Sequence, residues 1–182
     1  KQYSYRVIKT YPHDPDAYTQ GLIYKDGYLY EGTGQKGASS LRKVELETGK
    51  VLQSINLESR HFGEGITLFN DKLYQLTWTS DIGFVYDFAS FKQISTFSYN
   101  TQGWGLTNNE KELMMSDGSN IIRFMEPANF VETHRVEVFT DKEAVGQLNE
   151  LELINGDLYA NVYQTNNIVI INPQTGVVKG II

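Results

Sequence analysis

The chain carries its apolar residues in short, often alternating runs broken by Asp-Gly, Asn-Gly and similar pairs, a pattern that predicts strands and tight hairpins. No stretch keeps the i, i+3, i+4, i+7 spacing of a long amphipathic helix. Four segments share one layout. Gln20-Gly21-Leu22-Ile23-Tyr24 leads through Asp26-Gly27 into Tyr28-Leu29-Tyr30, and Glu64-Gly65-Ile66-Thr67-Leu68 leads through Asn70-Asp71 into Leu73-Tyr74-Gln75-Leu76. Trp104-Gly105-Leu106-Thr107 passes Asn108-Asn109-Glu110 before Leu113-Met114-Met115-Ser116, and Glu150 to Ile154 passes Asn155-Gly156 before Leu158-Tyr159-Ala160-Asn161. Leu22, Ile66, Leu106 and Leu151 are spaced by 44, 40 and 45 residues, and Leu29, Leu73, Leu113 and Leu158 repeat the same three steps.

Two further strands follow in each unit, for instance Leu41 to Leu46 and Val51 to Ile55 around Glu47-Thr48-Gly49-Lys50. Four strands in a repeat of roughly 40 residues is the signature of a β-propeller blade, which buries its two faces by stacking against neighbours. The reading is therefore all-β, with blades at about 18–60, 61–100, 101–140 and 145–182 in a single domain. Tyr3 to Ile8 reads as an additional N-terminal strand. Because the fourth unit already has an outer strand, the expectation is a five-bladed propeller whose last blade is largely missing from this chain.

Composition narrows the chemistry. With 16 Lys and Arg against 22 Asp and Glu, the net charge of −6 repels phosphate backbones, so nucleic acid is not an expected partner. No apolar window is long enough for a membrane-spanning helix. The absence of cysteine excludes disulfides, thiolate metal sites and cysteine nucleophiles, and three histidines (His13, His61, His134) are few for a zinc site.

In a propeller the innermost strand of each blade lines the axis, and the residues leading into it converge at one end. Those residues are Tyr18-Thr19-Gln20-Gly21, Phe62-Gly63-Glu64-Gly65, Gly103-Trp104-Gly105 and Leu148-Asn149-Glu150, joined by Trp78 and Tyr163 after the second strands. Aromatic walls with a few acids and amides make up a small-molecule pocket. Read in isolation, Glu64 and Glu150 fit solvated residues equally well, and Trp78 and Trp104 fit ordinary packing residues.

The runs HDPDAYTQGL, YEGTGQKGASSLRKVELETGKV, HFGEGITLFNDKLYQLTW, GWGLTNNEKELMMSDGS and LNELELINGDLYANVYQTN resemble the plant- and bacterial-type glutaminyl-peptide cyclotransferases, in order and over nearly the whole chain. The resemblance implies a five-bladed propeller that needs no catalytic metal or other cofactor and converts the N-terminal glutamine of a peptide or protein into pyroglutamate, releasing ammonia. It implies Glu64 as general acid and base. It implies Gln20 and Asn149 as amides that hold substrate carbonyls, and Tyr18, Phe62, Trp78, Trp104, Glu150 and Tyr163 as the rest of the binding wall. Tyr18 and Tyr163 stand where many members carry Phe and Trp, adding hydroxyls to that wall, and the family places a lysine-containing Thr-Gly-Lys type motif in its last blade, the blade expected to be missing here.

A monomer, exported to the periplasm or secreted, is expected from the family and from a chain that starts at Lys1 rather than Met. Two rivals remain: a non-catalytic platform for peptides or proteins, and a calcium-dependent hydrolase using Asp117 with Glu150 or Glu152. Gly32 to Gly37 is glycine-rich, but no helix follows to cradle a phosphate.

Overall fold

The computed structural model describes all 182 residues, which form sixteen antiparallel strands in four four-stranded sheets. Blade 1 contains β1 (Thr19–Lys25), β2 (Tyr28–Thr33), β3 (Ser40–Glu45) and β4 (Val51–Asn56). Blade 2 contains β5 (Gly63–Phe69), β6 (Lys72–Thr77), β7 (Ile82–Asp87) and β8 (Gln93–Ser98). Blade 3 contains β9 (Leu106–Asn108), β10 (Leu113–Ser116), β11 (Ile121–Met125) and β12 (Glu132–Glu137), and blade 4 contains β13 (Leu148–Ile154), β14 (Asp157–Val162), β15 (Ile168–Ile171) and β16 (Val178–Ile181). Within each sheet, strands pair in simple sequence order, inner to outer.

The turns explain why these sequences fold as up-and-down meanders. Asp26-Gly27, Asn70-Asp71 and Asn155-Gly156 each place two consecutive residues at positive φ, the backbone of the type I′ turn whose twist suits a two-residue hairpin. The outer hairpins use a longer turn. Its left-handed position is held by Gly49 and Gly176 in blades 1 and 4, but by Phe91 and Phe130 in blades 2 and 3. A bulky residue at positive φ is unfavourable. Here both rings are buried in interblade cores, and that burial offsets the backbone strain.

Three apolar cores join the blades. Leu41, Ile66, Leu73 and Phe84 fill the space between blades 1 and 2; Leu76, Phe97, Leu106 and Met115 that between blades 2 and 3; Met114, Ile122, Leu151 and Leu158 that between blades 3 and 4. At the axis the inner strands touch backbone to backbone. Gly21, Gly65 and Gly105 occupy equivalent places, and a Cβ on any of them would collide with main-chain atoms of the next blade. The Gly65 N–H donates to the Trp104 carbonyl across one such contact, at 2.8 Å.

Blades 4 and 1 share no apolar core. The structure thus contains four blades in an open ring, where the sequence led to an expectation of five with one missing. The N-terminal strand expected over Tyr3 to Ile8 is corrected. Only Gln2 makes a ladder contact, a parallel bridge to Ile181, and the following residues cross the opening as an extended strap with Tyr5 and Ile8 more than 80% exposed. The Tyr3 N–H donates to the Ile181 carbonyl at 2.8 Å, and beyond that bond the strap forms no ladder, so its alternating pattern stays unused. It becomes fixed again on blade 1, where Asp14 and His13 reach Arg42 and Glu31.

Candidate active site

The inner-strand starts meet at one end of the axis around a cavity of about 440 Å³, within the range of small-molecule pockets. Its lining includes Tyr18, Gln20, Phe62, Glu64, Trp78, Trp104, Asn149 and Tyr163, so residues up to 145 positions apart in the chain share one wall. The repeat is what brings them together: each blade contributes the residue before its inner glycine or Glu150, and blades 2 and 4 add the residue after the second strand.

Glu64 sits on the floor, only 6% exposed. Burial, with no compensating charge or hydrogen bond, pushes its carboxyl up from 4.5 to about 9, so it holds a proton at neutral pH. The aromatic wall forms an arc above it. Tyr18 meets Phe62 edge-on at 6.1 Å, Phe62 meets Trp78 at 5.7 Å, and Trp104 meets Tyr163 at 5.3 Å, each pair near the T-shaped geometry that ring quadrupoles favour. Gly118, at φ +82°, lies under the Trp104 indole, where a Cβ would come within 2.7 Å of the ring.

Asn149 contributes a second polar feature. Its Oδ1 is buried and has no protein partner, an acceptor left for an incoming N–H. Gln20 lines the same wall from blade 1.

Glu150 does not join them. Both Asn149 and Glu150 lie in a bulge between Leu148 and Leu151; Asn149 lines both the cavity and the adjoining groove between blades 4 and 1, whereas Glu150 lines the groove alone. There Oε1 accepts from the Leu22 N–H at 3.3 Å, Oε2 is buried without a partner, and burial drives the carboxyl well above its ordinary value. The grouping of Asp117 with Glu150 or Glu152 is not assembled either. Asp117 accepts from Arg123 and Ser119, and no cluster of three His, Asp or Glu side chains suited to a metal occurs.

Thr19, part of the Tyr18 to Gly21 run read from the sequence as converging at this end, also lines the cavity, as does Gln35, which the sequence did not place there. The blade 1 counterpart of Trp78 and Tyr163 is Gly34, whose N–H donates to the Tyr18 carbonyl as theirs donate to Phe62 and Gln147, and Gln35 lies one residue beyond the position the repeat marks. Its positive φ of 83° turns it back over the mouth. Thr19 is held by Glu31, which is fully buried and also accepts from His13 and Arg42. Burial alone would raise the Glu31 carboxyl, but the hydrogen bonds from Thr19, Arg42 and His13 outweigh it and hold it below the usual range.

An axial, aromatic-walled cavity around one buried acid places the chain among β-propellers with a pocket on their axis. The chain belongs to the glutamine cyclotransferase family, whose model matches residues 1–182. It is 40% identical over 176 residues to a glutaminyl-peptide cyclotransferase of Arabidopsis thaliana, covering 96% of this chain and 55% of that protein. The chain thus spans about half the length of this curated relative. A crystal structure of Myxococcus xanthus glutaminyl cyclase superposes with a TM-score of 0.90 at 34% identity, covering 97% of this chain and 75% of that one. The WD40 propeller domain of Doa1, at 14% identity and a TM-score of 0.62, shares the fold alone.

Proposed function

We propose that this cavity cyclises the N-terminal glutamine of peptides or proteins to pyroglutamate, with Glu64 moving the proton. One observation carries the reading: a single carboxyl lies buried beneath an aromatic arc with its proton affinity raised to about 9, unpaired by any cation of the protein. Such a group matches an amine in proton affinity, as a shuttle between two nitrogens requires.

The bond changes balance as follows. The α-nitrogen attacks the γ-carboxamide carbon, forming the ring C–N bond, and the bond to the carboxamide nitrogen breaks. One proton leaves the attacking nitrogen and one reaches the departing nitrogen, which leaves as ammonia. Glu64, protonated at the start, donates its proton to the departing nitrogen and takes one from the attacking nitrogen, ending in the state in which it began. No external reactant is needed, because both partners belong to one residue, and the protein's task is to hold them close. Asn149 Oδ1 suits the α-amine as an acceptor, and the Gln20 amide suits the carboxamide oxygen, whose charge grows as the tetrahedral carbon forms. Trp78, Trp104, Phe62 and the two tyrosines, Tyr18 and Tyr163, enclose the short side chain and keep out water that would compete for the same carbon.

We further infer that the opening between blades 4 and 1 seats a fifth blade. Leu22 and Tyr24 on blade 1 and Ile154 on blade 4 are exposed there, the strap carries exposed Tyr5, Val7 and Ile8, and the chain spans 75% of the Myxococcus structure. Protection of Leu22 and Tyr24 from solvent in the full-length protein is the corresponding check.

Incubation with a glutamine-initiated peptide tests the activity. Loss of one ammonia per peptide, unaffected by chelator and abolished in Glu64→Gln, is the expected result. Tight binding with no mass change would favour a platform instead, and activity that a chelator removes would favour a cation-dependent hydrolase.

A further inference from the structure

The aromatic arc is interrupted at its centre, between Trp78 of blade 2 and Trp104 of blade 3, and a polar residue outside the cavity spans the break. Trp78 Nε1 donates to Gln102 Oε1 at 2.6 Å, and Trp104 Nε1 donates to the same oxygen at 2.9 Å. An amide oxygen has two lone pairs, so one acceptor serves both indoles. Gln102 is itself exposed and does not line the cavity.

The loop that carries Gln102 is anchored on both sides of it. The Gly103 N–H donates to the Trp78 carbonyl at 3.0 Å. The Tyr99 hydroxyl accepts from the Thr77 N–H at 2.7 Å and donates to the Thr77 carbonyl at 2.6 Å. Gln102 therefore stands on a fixed support, and its oxygen defines where both indole N–H groups must point. They point to the rim, leaving the apolar parts of the rings for the cavity.

We propose that Gln102 is a positioning residue: it locks the two tryptophans into one wall across the blade 2–blade 3 boundary and so sets the shape of the pocket. The consequence for substrate rests on the cyclotransferase reading above; the orientation of the indoles does not. A substrate side chain small enough to fit the closed arc gains from this pinning, since the wall is ordered before binding and little is lost on closure. Two hydrogen bonds depend on one atom, so its removal frees both rings at once.

The test uses a property of the sequence. Trp78 and Trp104 are the only tryptophans in the chain, so intrinsic fluorescence reports on this pair without further labelling. In Gln102→Leu, the emission shifts to longer wavelength and its anisotropy falls, with circular dichroism unchanged. KM for a glutamine-initiated peptide rises about tenfold, in keeping with two ordinary hydrogen bonds lost, while kcat changes less. Gln102→Glu keeps an oxygen acceptor at the same reach and restores both emission and KM. Fluorescence of Gln102→Leu identical to that of the parent overturns the proposal, as does a Gln102→Glu protein no better than Gln102→Leu. If the parent protein turns over no peptide, the activity reading has failed, and the fluorescence comparison still decides the role of Gln102.

Discussion

Glu150 reaches across the open side of the ring to the backbone N–H of Leu22, placing a carboxyl where the other three blade boundaries have only a glycine. The contact is the axial link between blades 4 and 1. Because that carboxyl is buried without a cation, its protonated form is the favoured one.

The neutral amide is therefore a good substitute. Glu150→Gln is expected to melt at or above the parent temperature at pH 7, with the advantage growing toward pH 9. Glu150→Ala loses the Leu22 bond and is expected to cost about 1 kcal/mol. A lower melting temperature for the glutamine variant at both pH values would show that the carboxyl is held ionised.

Glu64 trades stability for chemistry. Its folded-state value of about 9 lies above the ordinary 4.5, so between those limits the folded protein binds more protons than the unfolded chain. Stability contributed through this group consequently falls as pH rises from about 4.5 to about 9, with a slope of at most about 1.4 kcal/mol per pH unit. Glu64→Gln removes that slope. It is expected to be more stable than the parent in chemical denaturation at pH 8, while turnover drops by about 10²- to 10⁴-fold.

The same group shapes the rate. Productive complexes hold one proton between Glu64 and the substrate amine, whose free value is about 7.7–8.0. The profile of kcat/KM is expected to rise as the amine loses its proton near pH 8 and to fall as Glu64 loses its own near pH 9. A flat profile from pH 6 to 10 would remove Glu64 from the proton path.

The anchor of the N-terminal segment behaves oppositely. Glu31 holds Arg42, His13 and Thr19, and its folded-state value is depressed, so its contribution is complete above the ordinary 4.5 and is lost as pH falls through the folded value. Glu31→Ala leaves the largely buried Arg42 guanidinium with only Asp14, and is expected to cost about 3–5 kcal/mol at neutral pH. The expected counterpart is a parent protein whose melting temperature drops steeply below pH 4, with a shallower drop in the variant.

The sequence by itself determined the meander. The spacing from Leu22 to Leu151 and the turn pairs Asp26-Gly27 and Asn155-Gly156 are local properties, and side-chain alternation with hairpin twist leaves little else for such segments to become. The repeat also brought Gln20, Glu64, Trp104 and Asn149 to equivalent places, since equal registers around an axis must converge. Direction and partnership were another matter. Glu150 bonds the Leu22 N–H of blade 1 while its neighbour Asn149 lines the cavity, Tyr3 to Ile8 alternate like a strand yet form no ladder beyond the Tyr3 bond to Ile181, and Gln102 meets two tryptophans from different blades. Each depends on atoms supplied by distant segments, and only the assembled blades decide which of those atoms are within reach.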